Sequence, residues 1–176
     1  IFKIIPIKNG KDETEKMNFI GVGGLLHWNN SFLLVRHTYG EYKGKWILPG
    51  GHVNDGEHID DAIVREFKEE TNLTVRPQGI IAVRSRIRDK SCTDCYVVFA
   101  LEYIEGELKS DGVENDAARF FTLDEVLKLE PVVPLSKILI QSYAQKKLSI
   151  LHRSQQIPYT LDNPELKLYL ADKEDL

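Results

Sequence analysis

Two spacings of apolar residues alternate along the chain, one suited to strands and one to a helix. Residues 19–28 form an apolar, glycine-rich run, and Asn29-Asn30 after it is a turn signal. Residues 31–36, with Phe32, Leu33, Leu34 and Val35 inside, predict the second strand of a hairpin. Residues 39–45 are a polar loop with two glycines, and Trp46-Ile47-Leu48 then meets Pro49-Gly50-Gly51, which stops any regular element. From 59 to 71 the period turns helical: Ile59, Ile63 and Phe67 recur every fourth residue, with Ala62 beside them. Residues 73–75 and 80–88 read as extended, 96–103 as a strongly apolar strand and 119–121 as a short one. Residues 123–129 predict a short helix, and Pro134 opens a longer one running to about His152. Asn163-Pro164-Glu165 predicts the start of a last helix. Mixed strands and helices place the chain in the α/β (α+β) class, as one domain over 1–152 with an extension over 153–176.

The helix at 59–71 carries charges that stability does not explain. At about 100° per residue, Glu70 lies about 40° from Glu66 and Glu69 about 60° from it, so three carboxylates share one side. Glu66 and Glu70 are like charges one turn apart, which destabilises a helix. Glu69 and Glu70 sit in the last turn, where the macrodipole favours cations. Glu70 also points close to the Ile63 direction, so it is expected to be partly buried, and a buried charge needs a partner or a proton. A hard divalent cation is a suitable partner, because Mg²⁺ takes oxygen ligands and keeps waters for a phosphate substrate. The competing reading is a solvated acidic face in which Asp61-Arg65 and Arg65-Glu69 pair one turn apart.

The segment from Gly51 to Leu73 resembles the signature box of the Nudix hydrolases. That box is Gly, five residues, Glu, seven residues, Arg-Glu, an aliphatic, any residue, Glu-Glu, any residue, Gly, an aliphatic. Here it reads Gly51, Glu57, Arg65-Glu66, Phe67, Lys68, Glu69-Glu70, Thr71, Asn72, Leu73. Every glycine and charged position from Gly51 to Glu70 matches, and residues 46–51 are similar to the family's approach to the box. Phe67 replaces an aliphatic, and Asn72 replaces the glycine that ends the helix. Asn is the next best residue for a left-handed cap, so the turn is expected to survive. The strand pattern extends the resemblance over about 19–129.

The resemblance implies an α-β-α sandwich with a mixed sheet flanked by helices. It implies hydrolysis of a nucleoside diphosphate linked to another moiety, with Mg²⁺ or Mn²⁺ as cofactor. By position, Glu66, Glu69, Glu70 and the Gly50 carbonyl would be metal ligands, Glu57 would lie beside them, and Arg65 would orient a carboxylate. The general base would be a box glutamate or an acid on a later loop, where Glu114 stands with Asp116 nearby. The chemistry is sound: a pyrophosphate is anionic, and a metal screens its charge and lowers the pKa of bound water. A silent nucleotide-sensing domain of the same family is the alternative, and a complete set of box glutamates argues against it. Ile87 and Asp89 stand where some branches carry a substrate-marking proline or tyrosine, so ADP-ribose, a nucleotide sugar and a nucleoside triphosphate all stay open.

Substrate contacts are sought among cations and aromatics. Arg84, Arg86 and Arg88 alternate and share one strand face, where guanidinium matches phosphate oxygens. Arg36 and His37, with Tyr39 and Tyr42, flank the loop before Trp46, and the aromatics suit base stacking. His52 stands next to the box glycine, within reach of a phosphate. Trp28 and Trp46 read first as packing residues. Cys92-Thr93-Asp94-Cys95 is a lone CxxC, which lacks the four ligands of structural zinc and reads as reduced thiols.

Composition narrows the partners. The 176 residues are 42% hydrophobic and 28% charged, ordinary for a globular chain. With 23 basic and 27 acidic residues the net charge is -4, which gives no footprint for duplex nucleic acid. No apolar run reaches the roughly 18 residues of a membrane span, and the first residues do not form a signal peptide. Cytoplasmic location is therefore the expectation, with a small nucleotide as partner. Leu161, Leu166, Tyr169 and Leu170 would let the tail dock on this domain or on a second subunit, which leaves a homodimer open.

Overall fold

Residues 22–26 and 97–101 lack polar alternates, so both faces of those strands need cover. The computed structural model, which describes residues 19–89, 92–154 and 166–171, supplies it with helices on either side of one sheet. The strands are β1 (Phe19–Trp28), β2 (Ser31–His37), β3 (Trp46–Ile47), β4 (Gly50–His52), β5 (Thr74–Asp89), β6 (Cys92–Glu105), β7 (Asn115–Phe121), β8 (Leu151–Arg153) and β9 (Tyr169–Ala171). The helices are α1 (Ile59–Thr71), α2 (Leu123–Lys128) and α3 (Pro134–Ala144). The sheet runs β3-β2-β1-β6-β5-β8-β9, with β4 paired to β1 and β7 to β2. β1 and β6 are parallel and the other strand pairs are antiparallel, so the sheet is mixed as expected.

Alternation along the central strands builds two cores. Val22 and Leu26 of β1, with Val97, Phe99 and Leu101 of β6, meet Ala62, Ile63 and Phe67 of α1. Leu25 of β1, with Val98 and Ala100 of β6, joins Val126 of α2 and Leu139 and Ile140 of α3 on the other face. The seat of α1 depends on a missing side chain, since a Cβ on Gly24 would stand 2.5 Å from the Phe67 ring. Asn72 ends α1 in the left-handed region at φ 60°, and its N–H donates to the Lys68 carbonyl, so asparagine does serve as the cap.

Three elements differ from the sequence expectation. Residues 74–75 and 80–88 belong to one strand, with Leu73 just before it, because Pro77 to Gly79 forms an irregularity in the β5–β6 ladder rather than a break. The helix from Pro134 stops at Ala144 instead of about His152. Lys146 takes φ 54° and its N–H donates to the Tyr143 carbonyl, which turns the chain. That turn lets Leu148 and Ile150 pack on the second core and Leu151 pair with Ile80. Asn163-Pro164-Glu165 and Leu161 lie outside the described residues, and the backbone at 169–171 is strand β9, paired with β8. The described part of the extension docks on its own domain: Tyr169 packs on the first core, and Lys167 binds Asp60 at 2.5 Å and Asp61 at 2.9 Å in the first turn of α1.

Among the described residues no helix is long and apolar enough to cross a membrane.

Candidate active site

A cavity of about 700 Å³ opens between α1, β4, the loop after β2, the β5–β6 hairpin and α3. The carboxylate side of α1 forms one end. Glu70 is 2% exposed and Glu66 9% exposed, whereas Glu69 is largely open. The buried face foreseen from the helical wheel is therefore present. Backbone from the glycine turn closes on it. A Cβ on Gly51 would stand 2.5 Å from the Glu66 carboxyl carbon, and Gly50 adopts φ 149° with its Cα side pressed on β1. Glycine at both positions is what lets the turn lie against the acids.

Arg65 organises this end. Its Nε and Nη2 donate to the two oxygens of Glu57 at 2.8 Å each, a bidentate fork. Its Nη1 donates to Glu66 at 2.7 Å and to Glu69 at 3.2 Å, and Nη2 also reaches the His52 carbonyl. The bond from Arg65 holds the Glu57 carboxyl below the usual range. Burial pushes Glu66 up, with Arg65 opposing. The Asp61-Arg65 pair of the solvated-face reading does not form, since Asp61 binds Lys167 instead.

Among the described residues no cationic side chain pairs with Glu70. Its Oε2 accepts from the Gly50 N–H at 2.8 Å and its Oε1 from Asn115 Nδ2 at 2.8 Å. Burial pushes its carboxyl up to about 8, those two bonds pull it down, and the charges of Glu66 and Glu114 push it further up. Among the described residues no three His, Cys, Asp or Glu side chains converge to hold an ion unaided. A Mg²⁺ site does not require that, because the ion is commonly held by one or two carboxylates, waters and substrate phosphates. The donor chemistry fits such an ion: hard oxygens in excess of positive charge, with the buried Asn115 Oδ1 lacking any partner.

Glu114 lines the cavity and is held in place. Tyr39 donates to its Oε2 at 2.9 Å, and the Thr38 N–H to its carbonyl at 2.9 Å. Burial, then the bond to Glu114, pushes the Tyr39 hydroxyl up to about 12. Asp111 fixes the loop by accepting from the N–H groups of Val113, Glu114 and Asn115. Burial lowers His37, another lining residue.

At the other end Arg84 and Arg86 converge on Asp94, which is 1% exposed. Arg86 also faces Glu41 at 3.6 Å, and Arg84 lies 5.1 Å over the Tyr96 ring. His52 lines the mouth edge-on to Phe19 at 3.9 Å. The Arg88 side chain lies outside the described residues. Arg36 is not among the lining residues: it pairs with Asp116 at 2.7 Å on the open surface and lies over Trp46. Trp28 packs on Tyr103 and Phe120, and Trp46 on Phe121, so both are packing residues. Cys92 and Cys95 are not bridged to each other.

Sequence reasoning missed Asn115 and the buried Asp94. Asn115 has its partner 45 residues away, and the one visible signal was its position between two candidate acids, whereas Asp94 meets Arg84 and Arg86 only 10 and 8 residues away, across the β5–β6 hairpin.

Known proteins share both the sequence pattern and this architecture. The NUDIX domain family description matches residues 17–143. An ADP-ribose pyrophosphatase of Methanocaldococcus jannaschii is 38% identical over 111 residues, covering 62% of this chain and 65% of the relative. Nudix hydrolase 8 of Arabidopsis thaliana is 31% identical over 167 residues, covering 89% of this chain and 44% of the relative. The chain thus spans less than two thirds of the length of either. The crystal structure of a MutT protein from Methanosarcina mazei Go1 superposes with TM-score 0.63 at 26% identity, covering 76% of this chain and 98% of that one. The NUDIX domain of Shewanella oneidensis NrtR, complexed with ADP ribose, superposes with TM-score 0.65 at 19% identity, covering 78% of this chain and 94% of that one, which speaks to the fold alone. With Glu66 and Glu69 of the box lining one cavity and the family pattern running through most of its length, the chain belongs to the Nudix hydrolase family.

Proposed function

We propose that the chain hydrolyses the diphosphate linkage of a nucleoside diphosphate esterified to a second moiety, with Mg²⁺ or Mn²⁺ held by Glu66, Glu69, Glu70 and the Gly50 carbonyl. The charge of the cavity carries this reading. Its lining holds five carboxylates, Glu41, Glu66, Glu69, Asp94 and Glu114, against three guanidiniums, Arg65, Arg84 and Arg86. Each of those guanidiniums already binds a carboxylate. A diphosphate enters such a site only with added cations. The metal, when bound, would screen the phosphoryl oxygens and lower the pKa of the attacking water.

The protein's own residues do the rest. Arg65 keeps Glu57, Glu66 and Glu69 in one geometry, so little reorganisation is needed when charge develops. Glu114, fixed by Tyr39, is the acid placed to accept the water's proton, and a box glutamate is its competitor for that role. Arg84 and Arg86 contact the half of the substrate farther from α1, and His52 stands at the mouth. Because their charge is largely balanced by Asp94 and Glu41, that end suits a neutral, hydroxyl-rich moiety better than a terminal phosphate. A diphosphate esterified at both ends, of the ADP-ribose or nucleotide-sugar kind, therefore fits better than a nucleoside triphosphate. The name of the 38% identical relative supports the same choice.

The test is phosphate-coupled turnover at alkaline pH on ADP-ribose, nucleotide sugars, dinucleoside polyphosphates and nucleoside triphosphates, each with Mg²⁺, Mn²⁺ or EDTA. Turnover should need metal and should favour a doubly esterified diphosphate over any triphosphate. Metal-dependent nucleotide binding without turnover would support the sensing alternative and end the hydrolase reading. Arg36→Ala should leave KM within about twofold, since an exposed pair outside the cavity contributes little. A tenfold rise would return Arg36 to the substrate site.

A further inference from the structure

We propose that Asn115 is a positioning residue for Glu70, setting the metal affinity of the carboxylate end through its side-chain amide. This rests on the metal-dependent reading above.

Asn115 is fully buried, at 0% exposure. It opens β7, where the ladder with β2 shifts register between Arg36 and His37. Its backbone N–H is taken by Asp111, and residue 114, just before it, is tied to Thr38 and Tyr39. The side chain is thus delivered from a braced segment, 45 residues beyond the glutamate that it serves.

The contact has a defined direction. In the ionised state that binds a cation, Glu70 can only accept, so Nδ2 is then the atom that faces it. That bond occupies one lone pair of Oε1, as the Gly50 N–H occupies one of Oε2. One lone pair on each oxygen is left for a cation, and the carboxylate plane is set from both sides. Among the described residues no other side chain donates to Glu70, and the Arg65 guanidinium is committed to Glu57, Glu66 and Glu69. Asn115 therefore does for Glu70 what Arg65 does for the other acids, without a charge that would repel the ion.

The second observation is the other half of the amide. Asn115 Oδ1 is buried and has no partner. A buried acceptor left without a donor carries a desolvation cost. An apolar residue of similar size would fill the space without that cost, so packing alone does not explain an amide here. A hard oxygen left without a donor, one amide width from a metal-binding carboxylate, is suited to the ion or to a water that the ion carries.

The experiment is calorimetric titration of Mn²⁺ into the folded, chelator-stripped protein, with no nucleotide present. It is run on wild type and on Asn115→Leu, which keeps the branched shape and removes both polar atoms. Metal-dependent kinetics on the substrate found above accompany it. Removing a residue that orients a metal ligand costs about 10–100-fold in metal affinity. Asn115→Leu should therefore weaken Mn²⁺ binding, and raise the metal concentration for half-maximal turnover, by that factor. KM for the nucleotide at saturating metal should stay within about twofold. A residue that only packs would lower Tm and leave the Mn²⁺ affinity unmoved, and that result in the folded variant overturns the proposal. Should Asn115→Leu not fold, Asn115→Ser is judged by the same measurements, because its shorter hydroxyl cannot reach Glu70. A wild-type protein that binds no Mn²⁺ and shows no metal-dependent turnover overturns both readings. Wild-type binding and turnover with an unaffected variant overturns only the role of Asn115.

Discussion

Glu70→Gln should lower kcat by on the order of 10²–10³ while leaving the fold at least as stable as wild type. The loss follows from charge. Metal-based stabilisation in a phosphoryl transfer is worth several kcal/mol, and each 1.4 kcal/mol is about tenfold in rate. The neutral amide keeps the shape of the glutamate but forfeits its pull on a cation. The stability follows from the same carboxylate. Glu70 is 2% exposed beside Glu66 and Glu114, with two hydrogen bonds and, among the described residues, no cationic side chain to offset its desolvation. Glutamine removes the buried charge. Its oxygen can keep the bond from the Gly50 N–H. Its new NH₂ would face Asn115 Nδ2, donor to donor, until the Asn115 amide turns over. The unpartnered Oδ1 then accepts that NH₂, so the contact across the pair is kept while Nδ2 takes the place that Oδ1 held. Thermal unfolding of the metal-free variant should show an unchanged or higher Tm. A fall beyond about 5 °C, or turnover near wild type with Mg²⁺, would show that Glu70 is there for structure.

That opposite movement of activity and stability separates what the sequence shows from what it conceals. The carboxylate helix was legible because its evidence is local. The Ile59-Ile63-Phe67 spacing sets the buried side, and arithmetic at 100° per residue places Glu66 and Glu70 on its edge. The same arithmetic marks these charges as a stability cost, which is why they point to chemistry. The two-sided burial of the central strands was legible from their unbroken apolar runs. Elements whose cause lies elsewhere in the chain were not. Residues 151–153 become a strand because Ile80 offers an edge and Lys146 turns the chain towards it. Nothing within 134–152 states this, and proline at the first position with apolar residues beyond it favours a longer helix. Arg36 shows the same limit in the site. It stands on the strand beside His37, which does line the cavity, but strand neighbours point to opposite faces, and only the arrival of Asp116 on β7 decides where the guanidinium goes. Asn115 is its mirror case, an unremarked amide that β7 delivers to Glu70.

Arg65→Ala should damage both quantities that Glu70→Gln separates. In wild type one guanidinium binds Glu57 through two bonds, Glu66 through one and Glu69 through another. Removing one partner of a buried ion pair costs about 3–5 kcal/mol because the other charge is stranded. Arg65 keeps 28% of its side chain exposed, so solvent screens part of that, and about 2–3 kcal/mol is the better expectation. At roughly 2–4 °C per kcal/mol for a chain of this size, Tm should fall by about 5–10 °C. The deficit should depend on pH with a definite sign. Glu57 is held below its ordinary value by Arg65, so its contribution is complete above that ordinary value and fades as pH falls through the lowered one. The gap in Tm between wild type and Arg65→Ala should thus be widest near neutrality and narrow in the acid range. Turnover should drop on the order of 10² through misplaced Glu66 and Glu69. Arg65→Lys is the decisive companion. An ammonium restores the charge but cannot bind two oxygens of Glu57 and still span Glu66 and Glu69. It should recover much of the lost Tm and little of the turnover. Equal recovery of both would mean that charge alone, without the planar fork, organises the acids of α1.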